Sequence, residues 1–159
     1  MVVLFGQGRM DTLNRSRCAD IGRACVCSNL RKASRLITQT YDEFLRPSGL
    51  RGTQFGLLMV VRGFGKITVS KLADWAIIDR TTVTRNLKLL EKKSLVNIEP
   101  GKDQRERVVT LTDKGIKALV SALPHWEEAQ HHVAEICGEG RTSHMVKEIS
   151  HMVSMLRKE

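Results

Sequence analysis

The sequence contains no long apolar run, and this limits where the protein can reside. Hydrophobic residues make up 42% of the 159 positions, but no uninterrupted stretch approaches the roughly 18 residues that predict a membrane-spanning helix. The opening MVVLFGQGRM is too short, and its charge too poorly ordered, for a secretory signal. Met10 is an alternative first residue of the protein. These features predict a cytoplasmic protein that has no membrane partner.

Disulfide frameworks and common catalytic motifs are also missing. The four cysteines are unevenly spaced, unlike those of small secreted proteins. The chain has no G-x-S-x-G, P-loop, H-E-x-x-H or glycine-rich dinucleotide motif. Its Ser, His and Asp residues have no arrangement that would activate a nucleophile. We therefore predict no enzymatic activity, no catalytic residue and no cofactor.

Positive charge is abundant. The formal net charge is +9 and the isoelectric point is about 9.8. This excess of positive charge favours a polyanionic partner such as double-stranded DNA. The length fits one domain with a substantial core.

Two short helices in succession are predicted between residues 68 and 92. Thr68 is a good N-cap for the first, whose apolar face is Val69, Leu72, Ala73 and Ala76. Asp79 is a good N-cap for the second, whose buried stripe is Val83, Leu87 and Leu90. The opposite face of the second helix carries Arg80, Thr81, Thr82, Arg85, Asn86 and Lys88. These side chains suit phosphates and base edges, although a solvated helix face is the alternative interpretation.

A β-hairpin is predicted after the second helix. Residues 95–99 and 107–111 are rich in β-branched residues, and Pro100-Gly101-Lys102-Asp103 between them favours a turn. Lys102, Arg105 and Arg107 lie on or near the tip, where an Arg can enter a minor groove. We expect Asp103 to hold the guanidinium of Arg105 by a charge-assisted hydrogen bond. An ordinary exposed turn is the alternative. The order of elements predicts a mainly α fold with a small β-wing, a winged helix-turn-helix.

Four segments together resemble the MarR family of bacterial transcriptional regulators. They are residues 30–61, residues 72–96, Asp103-Gln104-Arg105, and VVTLTDKG at 108–115. The resemblance covers about residues 25–158. It implies intertwined helices in a homodimer that places two recognition helices on a pseudo-palindromic operator. It also implies that Thr81, Thr82, Thr84, Arg85 and Asn86 face the groove and that Arg105 is at the wing tip.

The chain departs from the family pattern at two places. Ile77 stands where similar sequences have Gly in the helix-turn-helix bend. A β-branched residue at positive φ costs roughly 1–2 kcal/mol, so we expect this turn to be built differently. Ile98 and Glu99 replace the basic residues common at the start of the wing, which should weaken its phosphate contacts.

The flanking segments predict helices for assembly. One helix is expected from Ile21 to Leu45, a second with Thr53 as its cap, a third from Thr112 to Cys137 with a kink at Pro124, and a last from Thr142 to Arg157. A homodimer would bury their apolar stripes. We predict a disordered extension at 1–17 and a single unit at 18–159. Within this unit, residues 52–111 form the DNA-binding lobe, and 18–51 with 112–159 form the dimerisation lobe.

Control of DNA binding has several candidate mechanisms. In the family, small aromatic acids and phenolic compounds often bind between the two lobes. The residues that would line such an effector site are Arg31, Tyr41, Phe44, Phe55 and Trp126. The alternative is that these aromatic residues belong to the core.

Cysteine chemistry is a second candidate. Cys27 has the spacing of the peroxide-reactive cysteine in similar organic-hydroperoxide sensors, with Cys137 as a resolving partner across the dimer. The alternative is that both cysteines are buried as small apolar side chains. The spacing of His125, His131, His132 and Cys137 matches no closed metal site, so no metal is predicted. A protein-binding adaptor is the remaining alternative.

Overall fold

The computed structural model describes residues 14–157, which form two compact units that divide between Ile37 and Thr38. The first unit contains α1 (Arg15–Ala24) and the beginning of α2 (Val26–Leu45). The second contains the rest of α2 and all later elements. These are a 3₁₀ turn (Arg46–Ser48), α3 (Gly52–Phe64), β1 (Lys66–Thr68), α4 (Val69–Ala76), α5 (Arg80–Lys92), β2 (Val96–Pro100), β3 (Arg107–Leu111), α6 (Asp113–Cys137) and α7 (Glu139–Leu156).

The first predicted helix is broken in two. The prediction of one helix from Ile21 to Leu45 is wrong, because Cys25 has an extended backbone (φ −70°, ψ 109°) between α1 and α2. Asn29 secures this break, since its side-chain amide donates to the carbonyl oxygens of Arg23 (2.8 Å) and Cys25 (2.9 Å). Arg15 begins α1, so the helix starts inside the segment 1–17 that we expected to be disordered. Residues 1–13 lie outside the described part of the chain.

Other helix bounds also differ from the predictions. Helix α3 begins at Gly52 rather than after Thr53, because the carboxylate of Asp42 accepts a hydrogen bond from the N–H of Gly52 (2.7 Å). Helix α6 follows the predicted cap Thr112, continues through Pro124 and ends at Cys137. Gly138 then separates α6 from α7 at φ 88°, and α7 starts at Glu139, earlier than expected. Among the described residues, no helix is long and apolar enough to cross a membrane.

The predicted hairpin is confirmed, and a third strand joins it. All three strands are antiparallel in the order β1-β3-β2, with Ile67 and Ile98 both opposite Val109. Three residues of β1 were too few for a recognisable alternating pattern. The first strand of the hairpin begins at Val96, one residue later than predicted.

The core of the second unit lies beneath α5 and the sheet. Leu58 of α3, Leu72 of α4, Leu90 of α5 and Val109 of β3 are all fully buried. The predicted stripe of α5 is confirmed, since Val83, Leu87 and Leu90 are no more than 1% exposed. Burial of this stripe fixes which face of α5 points to solvent.

Candidate nucleic-acid interface

Asp79 caps the start of α5, as the sequence predicts. Its Oδ1 accepts hydrogen bonds from the backbone N–H groups of Thr81 (2.8 Å) and Thr82 (3.0 Å). The hydroxyl of Thr82 donates to Oδ2, and this bond and the backbone donors keep the pKa of Asp79 below its ordinary value. Two of the unpaired N–H groups at the start of α5 are thereby satisfied.

We expected the turn between α4 and α5 to be built differently from a glycine turn. This prediction is wrong. Ile77 has φ 53° and ψ 43°, in the left-handed region that Gly usually occupies. The N–H of Ile77 donates to the carbonyl of Asp74 (3.4 Å), and that of Ile78 to the carbonyl of Ala73 (3.1 Å). These two bonds form a Schellman motif, so Ile77 adopts a strained conformation to keep the usual geometry.

Seven predicted DNA-contacting residues of α5 divide into two groups. The side chains of Arg80, Thr81, Arg85 and Lys88 are exposed, whereas Thr82, Thr84 and Asn86 are half-buried and bonded within the helix region. The Thr84 hydroxyl donates to the carbonyl of Arg80 (2.7 Å), and the Asn86 amide donates to that of Thr82 (2.9 Å). Three cations and a threonine thus form the most accessible part of this surface.

A shallow depression follows the exposed face of α5. Its volume is about 420 Å³, and it is lined by Arg80, Thr81, Thr84, Arg85 and Lys88. All its ionisable side chains are positively charged, so it favours an anionic ligand such as a phosphate group.

The wing tip is held by its own backbone. The N–H of Gly101 donates to the carbonyl of Glu106 (3.1 Å), and that of Glu106 to the carbonyl of Asp103 (2.9 Å). The prediction of a hydrogen bond between Asp103 and the Arg105 guanidinium is wrong, because the carboxylate accepts a hydrogen bond from the backbone N–H of Arg105 instead (2.9 Å). An Asx turn satisfies Asp103 locally and shapes the loop.

The positive side chains of the wing differ in their freedom. The guanidinium of Arg107 donates to the carbonyl of Gln104 (3.3 Å). Lys102 and Arg105 are exposed, and within residues 14–157 neither side chain has a hydrogen bond or ion pair. The wing therefore offers two unpaired cations. It follows the basic helix α5 in sequence, which is the order of a winged helix-turn-helix.

The candidate effector residues are engaged in packing. Phe55 is 6% exposed and stacks on Trp126, with ring centroids 6.2 Å apart and planes 21° apart. The hydroxyl of Tyr41 donates to Oε1 of Gln130 (2.6 Å), and Phe44 contacts the ring of His132 at 5.1 Å. Partial burial raises the pKa of Tyr41. Arg31 is exposed on the part of α2 that belongs to the first unit.

The two candidate redox cysteines are free and exposed. Cys27 lies in the first turn of α2, and Cys137 is the last residue of α6. The nearby Cys25 is half-buried, and its sulfur accepts a hydrogen bond from the N–H of Ser28 (3.4 Å). No three His, Cys, Asp or Glu side chains in the described residues are grouped to hold a metal ion.

One contact to this region was missed by the sequence patterns. The guanidinium of Arg157, just beyond α7, donates to the carbonyl oxygens of Asp74 and Trp75 at the end of α4. No local signal could have identified it, because more than 80 residues separate the partners.

Comparison with known proteins gives the family. Residues 48–106 match the sequence model described as MarR family. The chain is similar to the Mycobacterium tuberculosis transcriptional regulator MosR, whose structure was solved in complex with DNA. Sequence identity is 36%, the match covers 84% of this chain and 98% of that one, and the TM-score is 0.71. The chain belongs to the MarR family.

Curated relatives of the chain are named as helix-turn-helix transcriptional regulators. The uncharacterised regulator YwoH of Bacillus subtilis is 33% identical over 88 residues, which cover 55% of this chain. This chain spans 64% of the length of YwoH. SarZ of Staphylococcus epidermidis is 26% identical over 130 residues, or 81% of this chain and 86% of SarZ. The winged helix-turn-helix fold, expected from the order of helices and hairpin, is that of this family.

Proposed function

We propose that this MarR-family regulator binds double-stranded DNA through α5 and the wing, and represses transcription until a small effector releases it. The observation that carries the proposal is the exposed face of α5, where Arg85 and Lys88 lie opposite a fully buried stripe and Arg80 is exposed as the first residue of the helix. The fixed stripe prevents these cations from turning inward. A helix of this kind suits the major groove, where Arg pairs with guanine and backbone phosphates attract Lys.

The wing extends the proposed contact. Lys102 and Arg105 are exposed and unpaired within the described residues, so a phosphate or a narrow minor groove can accept them without breaking an internal bond. Arg107 would have to keep or exchange its bond to the carbonyl of Gln104. Asp103 supports the backbone shape of the loop rather than contacting DNA itself.

A homodimer is the proposed form on DNA. Several large apolar side chains of α6 and α7 are more than half exposed in the single chain: Val120, Ile136, Val146, Met155 and Leu156. A second copy would bury them and would present two α5 helices to successive turns of a pseudo-palindromic operator. Sedimentation at micromolar concentration would show a species of twice the 17.9 kDa chain mass, whereas a monomer would contradict this part of the proposal.

DNA titration with two variants tests the interface. Arg85→Ala should weaken binding to the operator by about 1–3 kcal/mol and relax its sequence preference, if Arg85 contacts a base. Arg105→Ala should weaken binding most at A·T-flanked sites. Lys117→Ala, which removes one exposed charge from α6, is the matched control.

Salt dependence distinguishes DNA from a protein partner. Affinity for DNA should fall steeply as salt rises, because phosphate contacts release counterions. An affinity for DNA that depends little on salt would contradict the assigned role of α5 and favour the adaptor alternative. The same conclusion would follow if Arg85→Ala bound operator and random duplex with the same affinities as the wild-type protein.

The proposed effector is a small phenolic or aromatic acid. Tyr41, Phe44, Phe55 and Trp126 supply aromatic surface, but their present contacts with one another and with α6 mean that a ligand would have to displace packing. Operator release by salicylate, absent in a Trp126→Leu variant that still binds DNA, would support this site. Release that is unchanged in the variant would place the effector elsewhere.

A thiol-based peroxide sensor is a second candidate function. The exposure of Cys27 favours it, because a peroxide must reach the sulfur. The thiolate would attack one peroxide oxygen and break the O–O bond, giving a sulfenate and an alcohol, and a proton from solvent would convert the sulfenate to the sulfenic acid. A second thiol such as Cys137 would then form a disulfide and release water. Cys27→Ser should abolish DNA release by cumene hydroperoxide, and persistent release would exclude Cys27 as the sensor.

A further inference from the structure

Arg157 connects the end of the last helix to the end of the first helix of the helix-turn-helix. It is the residue after α7, and its guanidinium donates to the carbonyl of Asp74 and, over 3.1 Å, to that of Trp75. Both acceptors lie in the last turn of α4. A side chain far along the sequence thus reaches the segment that leads into α5.

The carbonyl groups at the end of α4 need donors that the helix cannot supply. The N–H groups of Ile77 and Ile78 serve Asp74 and Ala73, respectively. In the described residues the carbonyl of Trp75 has Arg157 as its donor. The guanidinium also places positive charge at the negative end of the α4 dipole, where a cation is stabilising.

The same carbonyls lie immediately before a strained turn. Ile77 is in the left-handed region, and α5 begins three residues later at Arg80. Strained conformations of this kind persist only where surrounding contacts fix them. Arg157 supplies such contacts on the α4 side, and Asp79 supplies the cap on the α5 side.

We propose that Arg157 is a positioning residue that holds the end of α4, and with it the turn at Ile77 and the direction of α5. A change at the end of α7 that moves Arg157 would thereby reach the turn and α5. The effect on DNA rests on the proposed function, whereas the contact itself does not.

Amide hydrogen exchange tests the contact without DNA. In full-length Arg157→Ala, the amides of Ile77 and Ile78 should exchange roughly tenfold faster, the scale of one charge-assisted hydrogen bond. Arg157→Lys should restore part of the protection. Lys147→Ala removes a different exposed charge from α7 and should leave these amides unchanged. Unchanged exchange in Arg157→Ala, or equal acceleration in Lys147→Ala, would overturn the proposal.

A double-mutant cycle tests the link to the turn. Ile77→Gly removes the strain, so Arg157→Ala should accelerate exchange at Ile78 less when it is combined with Ile77→Gly than when it is made in the wild-type protein. Equal acceleration in both backgrounds would show that Arg157 does not maintain the turn.

DNA affinity tests the consequence for α5. Arg157→Ala should weaken operator binding about tenfold while the salt dependence stays unchanged, because the guanidinium contacts carbonyls and not phosphates. A salt slope reduced by about 1 would identify Arg157 as a direct phosphate contact and overturn the positioning role. Wild-type protein that fails to bind any duplex would refute the proposed function, yet the exchange results would still decide the contact.

Discussion

Thr82 donates two hydrogen bonds to one carboxylate, that of Asp79. Its backbone N–H lies 3.0 Å from Oδ1 and its hydroxyl 2.5 Å from Oδ2. A residue predicted to contact DNA is thus already part of the N-cap that starts α5. The same pair explains why the pKa of Asp79 lies below its ordinary value.

The cap should make α5 sensitive to acid. The hydroxyl and backbone donors of Thr82 lower the pKa of Asp79 in the folded state. Its stabilising contribution should be present above the ordinary Asp pKa of about 3.9 and lost as pH falls through the lower folded value. Asp79→Asn should keep the cap and lose this pH dependence, whereas Asp79→Ala should lose the cap at every pH. Urea unfolding at pH 7 and pH 3 measures both, and equal pH dependence in all three proteins would contradict the assignment.

Relief of the strained turn should stabilise the fold. Ile77 is 61% exposed at φ 53°, so Ile77→Gly removes left-handed strain and little buried surface. We expect the free energy of unfolding to rise by about 1 kcal/mol, after the greater entropy of Gly in the unfolded chain is included. Chemical denaturation measures the change. Ser94→Gly, at φ 60°, should act in the same direction, while Ile78→Gly should destabilise, because Ile78 packs against the core.

Close approach between α6 and the base of the wing should forbid a side chain at Gly115. A Cβ atom there would lie 2.0 Å from the carbonyl oxygen of Leu95. Gly115→Ala should therefore lower the free energy of unfolding by about 2–3 kcal/mol, as overpacking does. Gly56→Ala in α3 is the matched control, since no atom lies within 4 Å of its added Cβ. The control should be neutral or stabilising by up to about 1 kcal/mol, and equal losses in the two variants would exclude the steric explanation.

Tyr41 should titrate above the ordinary range for tyrosine. Burial disfavours its phenolate and raises its pKa, and its hydroxyl donates to Gln130. The contribution of the neutral phenol to the free energy of unfolding is fully present below the unfolded pKa of about 10. It is lost as pH rises through the folded value. Since Tyr41 is the only tyrosine, absorbance at 295 nm reports it directly. Gln130→Ala should leave the direction of the shift unchanged, because burial is its cause, and a midpoint at or below 10 in wild-type protein would contradict this environment.

Local chemistry made much of the interface predictable. Thr68 and Asp79 cap α4 and α5 because their oxygens are within two or three residues of the N–H groups that need acceptors. The buried stripe of α5 follows from apolar residues at helical spacing, and the exposed cations follow from the opposite face. The hairpin was recognisable from β-branched residues around a Gly-containing turn. Each of these features depends on neighbours in sequence.

The remaining features depend on partners that sequence order does not reveal. Ile77 stays in the left-handed region although its intrinsic preference opposes it, so the packing of α4 and α5 decides its conformation. β1 is a strand because β3 pairs with it, and Asp103 bonds to a backbone N–H because the loop folds back at Glu106. Apolar residues at helical spacing are enough to assign the solvent-exposed face of α5. The contact that fixes the end of α4 depends on the fold, because Arg157 meets the carbonyl groups of Asp74 and Trp75 only when the chain is folded and not through proximity along the chain.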